Sequence, residues 1–193
     1  MGHTVKKLIV VLASAALLAA CSSNTTDDTS TEGSASVELT TWAGQVCADI
    51  SALRTSITDI GGAVTTGGSN LQTNLASQFS LIQTSAQSLL TTVGDIPAAA
   101  SDSPGALAIK QTSSELHSSV AELGTSVDAL ADASGIGLAT ALVSVGTAAS
   151  AAGQAALDSV SAINMAIQDR SASIGSAFAA SPACTELTKQ SSQ

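Results

Sequence analysis

The sequence predicts an all-α fold, an up-down-up-down four-helix bundle closed by one disulfide. Apolar residues recur every three or four positions along most of the chain, which is the spacing of one helix face. Short turn signals, including Gly-Gly and Ser-Pro pairs, divide this pattern into four stretches. Cys47 and Cys184 lie near opposite ends of the region. Because an up-down-up-down bundle brings those ends to the same pole, the topology and the cysteine placement support each other.

The first predicted helix carries apolar residues alternately four and three positions apart after its first step, as in the seam of a left-handed bundle. These residues are Trp42, Val46, Ile50, Leu53, Ile57, Ile60 and Val64. Gly67-Gly68 should end this helix, and Ser69 with Gln72 forms a capping box that should start the second. The second helix repeats the apolar pattern with Leu71, Leu75, Phe79, Ile82, Ala86, Leu89 and Val93.

A turn is predicted from Asp95 to Asp102, after which Ser103-Pro104 supplies a capping side chain and a first-turn proline for the third helix. The apolar stripe of this helix is Leu116, Val120, Leu123, Val127 and Leu130. Gly135 follows it as the expected C-terminal stop.

The fourth helix is predicted to be long and either kinked or broken. Its later part carries a clear stripe of Ile163, Ile167, Ile174 and Phe178. Ser181-Pro182 should end it and start a last short turn with Cys184. An unbroken helix over 136–180 would exceed about 60 Å, against about 40 Å for each of the others. We therefore expect a kink or break near Gly146 or Gly153, or a projecting hairpin where the third and fourth helices meet.

Cys47 and Cys184 are predicted to form one structural disulfide, because two cysteines near the ends of an exported domain favour such a bond. Their spacing matches neither a CxxC motif nor a zinc site. Two free buried thiols and a redox pair are the alternatives.

The first twenty residues have the organisation of a signal peptide. Lys6 and Lys7 precede the uncharged apolar run 8–18, which is too short to span a bilayer comfortably. The string Leu18-Ala19-Ala20-Cys21 resembles the bacterial lipobox. This resemblance implies cleavage before Cys21, a lipid on its sulfur, and a location on the extracytoplasmic face of the cell membrane. An ordinary secretory signal with a chance cysteine is the alternative.

The expected organisation is a signal peptide over 1–20, a lipidated flexible tether over 21–36, the bundle over 37–188 and a disordered tail over 189–193. The tether contains no large apolar side chain, so little surface can be buried to offset its ordering entropy. The Ala/Ser/Thr/Gly bias resembles that of small secreted lipoproteins of unknown role from high-GC Gram-positive bacteria. That resemblance implies sugars on the tether threonines, and a bare linker is the alternative.

No constellation of catalytic, cofactor-binding or metal-binding residues is apparent, so we expect neither an enzyme nor a cofactor. His117 has no carboxylate or cysteine three or four residues away and is expected at a boundary or on the surface. Asp128 and Asp132, four residues apart, make at most a weak cation contact. The net charge is −9, and it falls to −11 once Lys6 and Lys7 are removed. Such acidity argues against nucleic acid as a partner.

The segment 136–157 has no charged residue and gives the best functional hint. It is interpreted as a helix buried on all sides, as the wall of an apolar groove, or as a membrane-inserting segment. The groove residues would be Ile136, Leu138, Leu142, Val145, Ala149 and Ala152. The leading hypothesis is a non-enzymatic, membrane-anchored protein that acts through protein or cell-envelope contacts. The alternative is a carrier or sensor of an apolar ligand, such as a lipid, bound between helices.

Overall fold

The computed structural model describes residues 30–66, 70–169 and 172–190, with side chains from Val37 onward except that of Thr66. Within these ranges the chain is helical, with no strand, as predicted. The α-helices are α1 (Ser30–Thr66), α2 (Leu71–Gly94), α3 (Pro104–Ala131), α4 (Ile136–Gln168), α5 (Ser173–Ala180) and α6 (Pro182–Gln190). A 3-10 turn, Ala98–Ala100, lies in the predicted turn between α2 and α3.

The four long helices form the predicted up-down-up-down bundle. Each packs against the next along the chain, and α4 closes the ring by contacting α1. The short helices α5 and α6 both pack against α1. We call the end of the bundle that holds Cys47 and Cys184 the disulfide pole. The opposite end, where α3 turns into α4, is the distal pole.

The predicted apolar stripes form the core. Val64, Leu71 and Ile167 are half-buried, and every other stripe residue is buried. Close packing of Leu, Ile, Val and Ala therefore holds the helices together, with Trp42 and Phe178 added at the disulfide pole.

The fourth helix is broken as expected, but the predicted position of the break is wrong. The helix α4 runs without interruption through Gly146 and Gly153 and ends at Gln168, and the next described helix, α5, begins at Ser173. An interior helical glycine costs only about 0.5–1 kcal/mol relative to alanine, which the packing of α4 along α3 can offset. At the real break, a Cβ on Gly175 would overlap the backbone carbonyl oxygens of Ala166 and Asp169. Because Gly175 has no side chain, α5 can pack directly against the last turn of α4.

The α3–α4 hairpin does not project from the distal pole. The side-chain amide of Gln72, near the start of α2, donates hydrogen bonds to the carbonyls of Leu130 at 2.7 Å and Ala133 at 3.2 Å. The end of α3 is therefore level with the start of α2. Asn70 is the N-cap of α2 and makes no side-chain cap bond. The predicted capping box stays a prediction, because its Ser69 lies outside the described residues.

Two serine-proline pairs act as predicted, and one glycine acts differently. Ser103 Oγ accepts a 3.3 Å hydrogen bond from the Ala106 amide, with Pro104 as the first helical residue. Ser181-Pro182 separates α5 from α6. The helix α3 ends at Ala131, and Gly135 instead precedes α4 with a φ of +56°. Glycine suits that backbone conformation because it has no Cβ.

The first and last helices extend beyond the ends expected for the bundle. Helix α1 begins at Ser30, so residues 30–36 of the expected tether are helical. Extending an existing helix costs less than starting one, which accounts for this difference. Helix α6 reaches Gln190, two residues past the expected end of the bundle. The predicted signal peptide, Cys21, Gly67-Gly68, Ser69 and residues 191–193 lie outside the described residues.

Candidate functional site

The disulfide pole holds the predicted covalent bond. Cys47 of α1 and Cys184 of α6 are joined with a Cα–Cα distance of 5.1 Å, across a sequence separation of 137. Both residues are fully buried. The predicted pairing is confirmed, and it links the start of the bundle to its last helix.

A series of hydrogen bonds lies near the disulfide pole and was not predicted from the sequence. The Trp42 indole nitrogen donates a 2.6 Å hydrogen bond to the Thr92 carbonyl, and its ring meets that of Phe178 edge-on with centroids 5.5 Å apart. The Thr92 hydroxyl donates to Asp49 Oδ2 at 2.7 Å, and Gln45 donates to Asp49 Oδ1 at 3.0 Å. These contacts join α1, α2 and α5. The carbonyls of the last helical turn lack intrahelical partners, so the Trp42 contact satisfies one of them in α2.

The uncharged segment of α4 is buried on one side only. Val145, Ala149 and Ala152 are buried in the core. Leu138 and Leu142 are half-buried, whereas Ile136 is 91% exposed. The six predicted groove residues therefore do not line one open surface. The interpretation as a helix buried on all sides is also wrong, because the face opposite the core is open.

We call that open surface the α4 outer face. It comprises the exposed residues Ile136, Gly137, Thr140, Val143, Ser144 and Thr147. Val143 is 70% exposed, and the face lies close to the distal pole. By length and composition, α4 is the one helix in the described ranges that could cross a membrane. An 18-residue stretch of this helix has a mean hydropathy of 1.5 and is only 17% buried, so much of its apolar surface is uncovered.

His117 lies in a cleft of about 850 Å³ between α2 and α3. The cleft is open to solvent, and its α2 wall consists mainly of amide and hydroxyl side chains, including Gln83, Gln87 and Thr91. His117 is exposed, in agreement with its predicted surface position. Asp95 is the one carboxylate that lines the cleft. This arrangement supplies neither a nucleophile paired with a base nor a set of metal ligands.

Metal ligands do not cluster in the part of the chain that the structure describes. No group of three or more His, Cys, Asp or Glu side chains occurs there, and Asp128 and Asp132 are both exposed. No protein-family model, curated protein or solved structure matches this chain.

Proposed function

We propose that this chain is a lipid-anchored protein of the extracytoplasmic membrane face, which acts by contacting an envelope protein and not by catalysis. The lipobox-like string ending at Cys21 supports the anchor. The buried Cys47–Cys184 bond supports export, because disulfides form and persist mainly in oxidising compartments. The net charge of −11 after removal of Lys6 and Lys7 disfavours direct adsorption to anionic lipid.

The order of the helices gives the anchored domain a direction. Cys21 precedes α1, whose early part with Cys47 lies at the disulfide pole. A lipid on Cys21 would therefore hold that pole nearer the membrane. Helix α3, with 28 residues, spans about 40 Å between the poles. The distal pole and the nearby α4 outer face would then point away from the bilayer.

The proposed contact with an envelope protein is supported mainly by the exposed apolar residues of the α4 outer face. It exposes Ile136 and Val143 on a helix without charge over 136–157. Exposed apolar surface of this kind is typical of interaction sites. Its glycine, serine and threonine residues would let the backbone of a partner approach closely. Large apolar side chains are too sparse on this face to drive insertion into lipid, so a protein partner is favoured.

Site-specific photo-crosslinking in the producing cells tests this role. A photoreactive side chain at Val143 should yield a discrete adduct with one envelope protein. The matched control is the same side chain at Leu81, which is 64% exposed on α2. Val143→Ser should weaken binding to that envelope protein without affecting export. Identical adducts from both positions, or none from position 143, would exclude the α4 outer face as the contact.

The alternative, a carrier of an apolar ligand, has one supporting observation. A mostly apolar cleft of about 210 Å³ lies where α3, α4 and α5 meet, with Ala108, Ala162 and Met165 in its lining. Small-molecule sites typically measure about 300–1,000 Å³, so this cleft would suit part of an acyl chain and not a whole lipid. Native mass spectrometry distinguishes the two functions, because a carrier would retain one lipid per chain beyond that attached to Cys21.

A further inference from the structure

We propose that a second cleft, between α1 and α4, binds a phosphate-type oxyanion through Arg54. The cleft has a volume of about 260 Å³, and its α4 wall over 150–157 continues along the helix from Thr147, the last residue of the α4 outer face. Its lining residues are Arg54, Ile57, Thr58, Ser150, Gly153, Gln154 and Leu157.

Arg54 is the cation of this cleft, and one of its nitrogens lacks a partner. Its Nη1 is shielded from solvent and makes no hydrogen bond. Within the described ranges no carboxylate lies within 4.0 Å of its guanidinium. Fifteen acidic residues stand against six basic ones in the sequence, so an arginine without a carboxylate is unexpected. A guanidinium nitrogen without a bonding partner is unusual away from solvent. An anion in the cleft would pair with the same delocalised charge through the other N–H groups of the guanidinium.

The hydroxyl groups that line the cleft beside Arg54 already donate hydrogen bonds to backbone carbonyls, so the guanidinium is the main candidate for binding an anion. Thr58 Oγ1 donates to the Arg54 carbonyl, and Ser150 Oγ donates to the Gly146 carbonyl, each at 2.9 Å. The Asp158 carboxylate, one turn beyond Gln154, accepts a 3.2 Å hydrogen bond from the Gln154 side chain. Asp158 forms no ion pair with Arg54 within 4.0 Å.

The cleft has room for a phosphate group beside Arg54. The guanidinium fork matches the spacing of phosphate oxygens and can form two parallel hydrogen bonds with them. Gly153 leaves the cleft open, because the nearest atom to a Cβ there is Ile57 Cγ2 at 3.9 Å. A volume of 260 Å³ equals that of roughly eight or nine waters at about 30 Å³ each, enough for the five heavy atoms of phosphate. Leu157, 41% exposed, adds an apolar wall that could accompany a phosphate ester.

Nitrogen-15 NMR of the full chain in a nonionic detergent tests the proposal. Arg54 and Arg170 are the two arginines of the sequence, so two Nε–Hε signals are expected and Arg170 serves as an internal reference. Inorganic phosphate and dihexanoyl phosphatidylglycerol are titrated separately. A saturable shift of the Arg54 signal by phosphate indicates a free oxyanion, and one by the lipid alone indicates a headgroup. Either result supports the site. No shift, or equal unsaturable shifts of both arginines, overturns it.

Three variants separate the cleft from general charge effects. Arg54→Gln removes the cation, whereas Gly153→Leu fills the cleft and keeps it. Each should weaken binding about tenfold or more, since charge-assisted hydrogen bonds contribute strongly. Lys110→Gln makes the same charge change at a half-buried position on α3 and should alter affinity less than about twofold. Unchanged binding by Gly153→Leu, with its fold verified by circular dichroism, would contradict the proposal, as would equal losses in all three variants.

Discussion

The ring of Phe79 on α2 occupies the space that a side chain at Gly124 on α3 would need. A Cβ at Gly124 would lie 2.5 Å from Cζ and 2.9 Å from Cε1 of Phe79. Gly124 and Phe79 are both buried, and 6% of the surface of Phe79 is exposed. The absence of a side chain at position 124 therefore lets α2 and α3 pack around this ring.

Gly124→Ala should destabilise the bundle. Overpacking a core typically costs about 1–3 kcal/mol, whereas alanine gains about 0.5–1 kcal/mol of helix propensity. We expect a net loss of about 1 kcal/mol or more in the free energy of unfolding, measured by urea titration with circular dichroism.

The matched control for this change is Gly146→Ala on α4, where no atom lies within 4 Å of the added Cβ. It should stabilise the protein by about 0.5–1 kcal/mol. Phe79→Leu shortens the opposing side chain and should reduce the penalty of Gly124→Ala in a double-mutant cycle. If both glycine variants gained stability equally, the close packing of Phe79 on Gly124 would be wrong.

The helix faces could be predicted from the sequence, but the position of the break could not. A face follows from the spacing of apolar residues such as Ile50, Leu53 and Ile57, which is a local property of the helix. The break depends on the contact of Gly175 with two carbonyl oxygens of α4. A glycine that a tertiary contact requires looks the same in sequence as one that is merely tolerated, such as Gly146.

Gly175→Ala should be more damaging than Gly124→Ala. The added Cβ would overlap the backbone carbonyl oxygens of Ala166 and Asp169. Backbone atoms of a helix end move less easily than the end of the Phe79 side chain, which is the group that a Cβ at Gly124 would meet. We expect a loss of about 2–4 kcal/mol in the free energy of unfolding, at or above the usual range for overpacking. Thermal unfolding of both variants provides the comparison. A milder effect for Gly175→Ala would contradict the close contact of α5 with the end of α4.

Removing the disulfide should lower stability through the unfolded state. Cys47→Ala combined with Cys184→Ala opens a loop of 137 residues in sequence separation. The loop-entropy model gives a loss of about 4–5 kcal/mol for a loop of this size. The midpoint of urea unfolding should fall accordingly, whereas Cys21→Ser, which changes a cysteine outside the loop, should leave it unchanged. A double variant as stable as the parent would argue that the bond contributes little.

Trp42→Phe tests the hydrogen bond that satisfies the end of α2. Phenylalanine keeps much of the ring contact with Phe178 but cannot donate to the Thr92 carbonyl. We expect a loss of about 1 kcal/mol, the usual net value of one hydrogen bond. Trp42→Leu also removes the edge-on ring contact and should cost about 0.5–1.5 kcal/mol more. Circular dichroism is the appropriate probe, because Trp42 is the only tryptophan. Equal stability of Trp42→Phe and the parent would exclude a contribution from this bond.

The candidate sites were less accessible to sequence reasoning than the core. The lack of charge in 136–157 marked α4 as unusual, yet which of its residues face outward depends on the packing of α4 against α1 and α3. Arg54 gave no signal in the sequence, because what marks it is a solvent-shielded Nη1 with no hydrogen-bond partner among the described residues. Which residues of α4 face outward, and whether Arg54 has a partner, both depend on distances between helices that the sequence does not give.

Membrane fractionation of Cys21→Ser, combined with radiolabelled palmitate, tests whether a lipid on Cys21 anchors the protein. The parent chain should incorporate label and sediment with membranes. The variant should remain unlabelled and either keep its signal peptide or appear in the soluble fraction, because no thioether can form on serine. If the serine variant were processed and membrane-bound to the same extent as the parent, the lipid anchor and the orientation argued from it would be wrong.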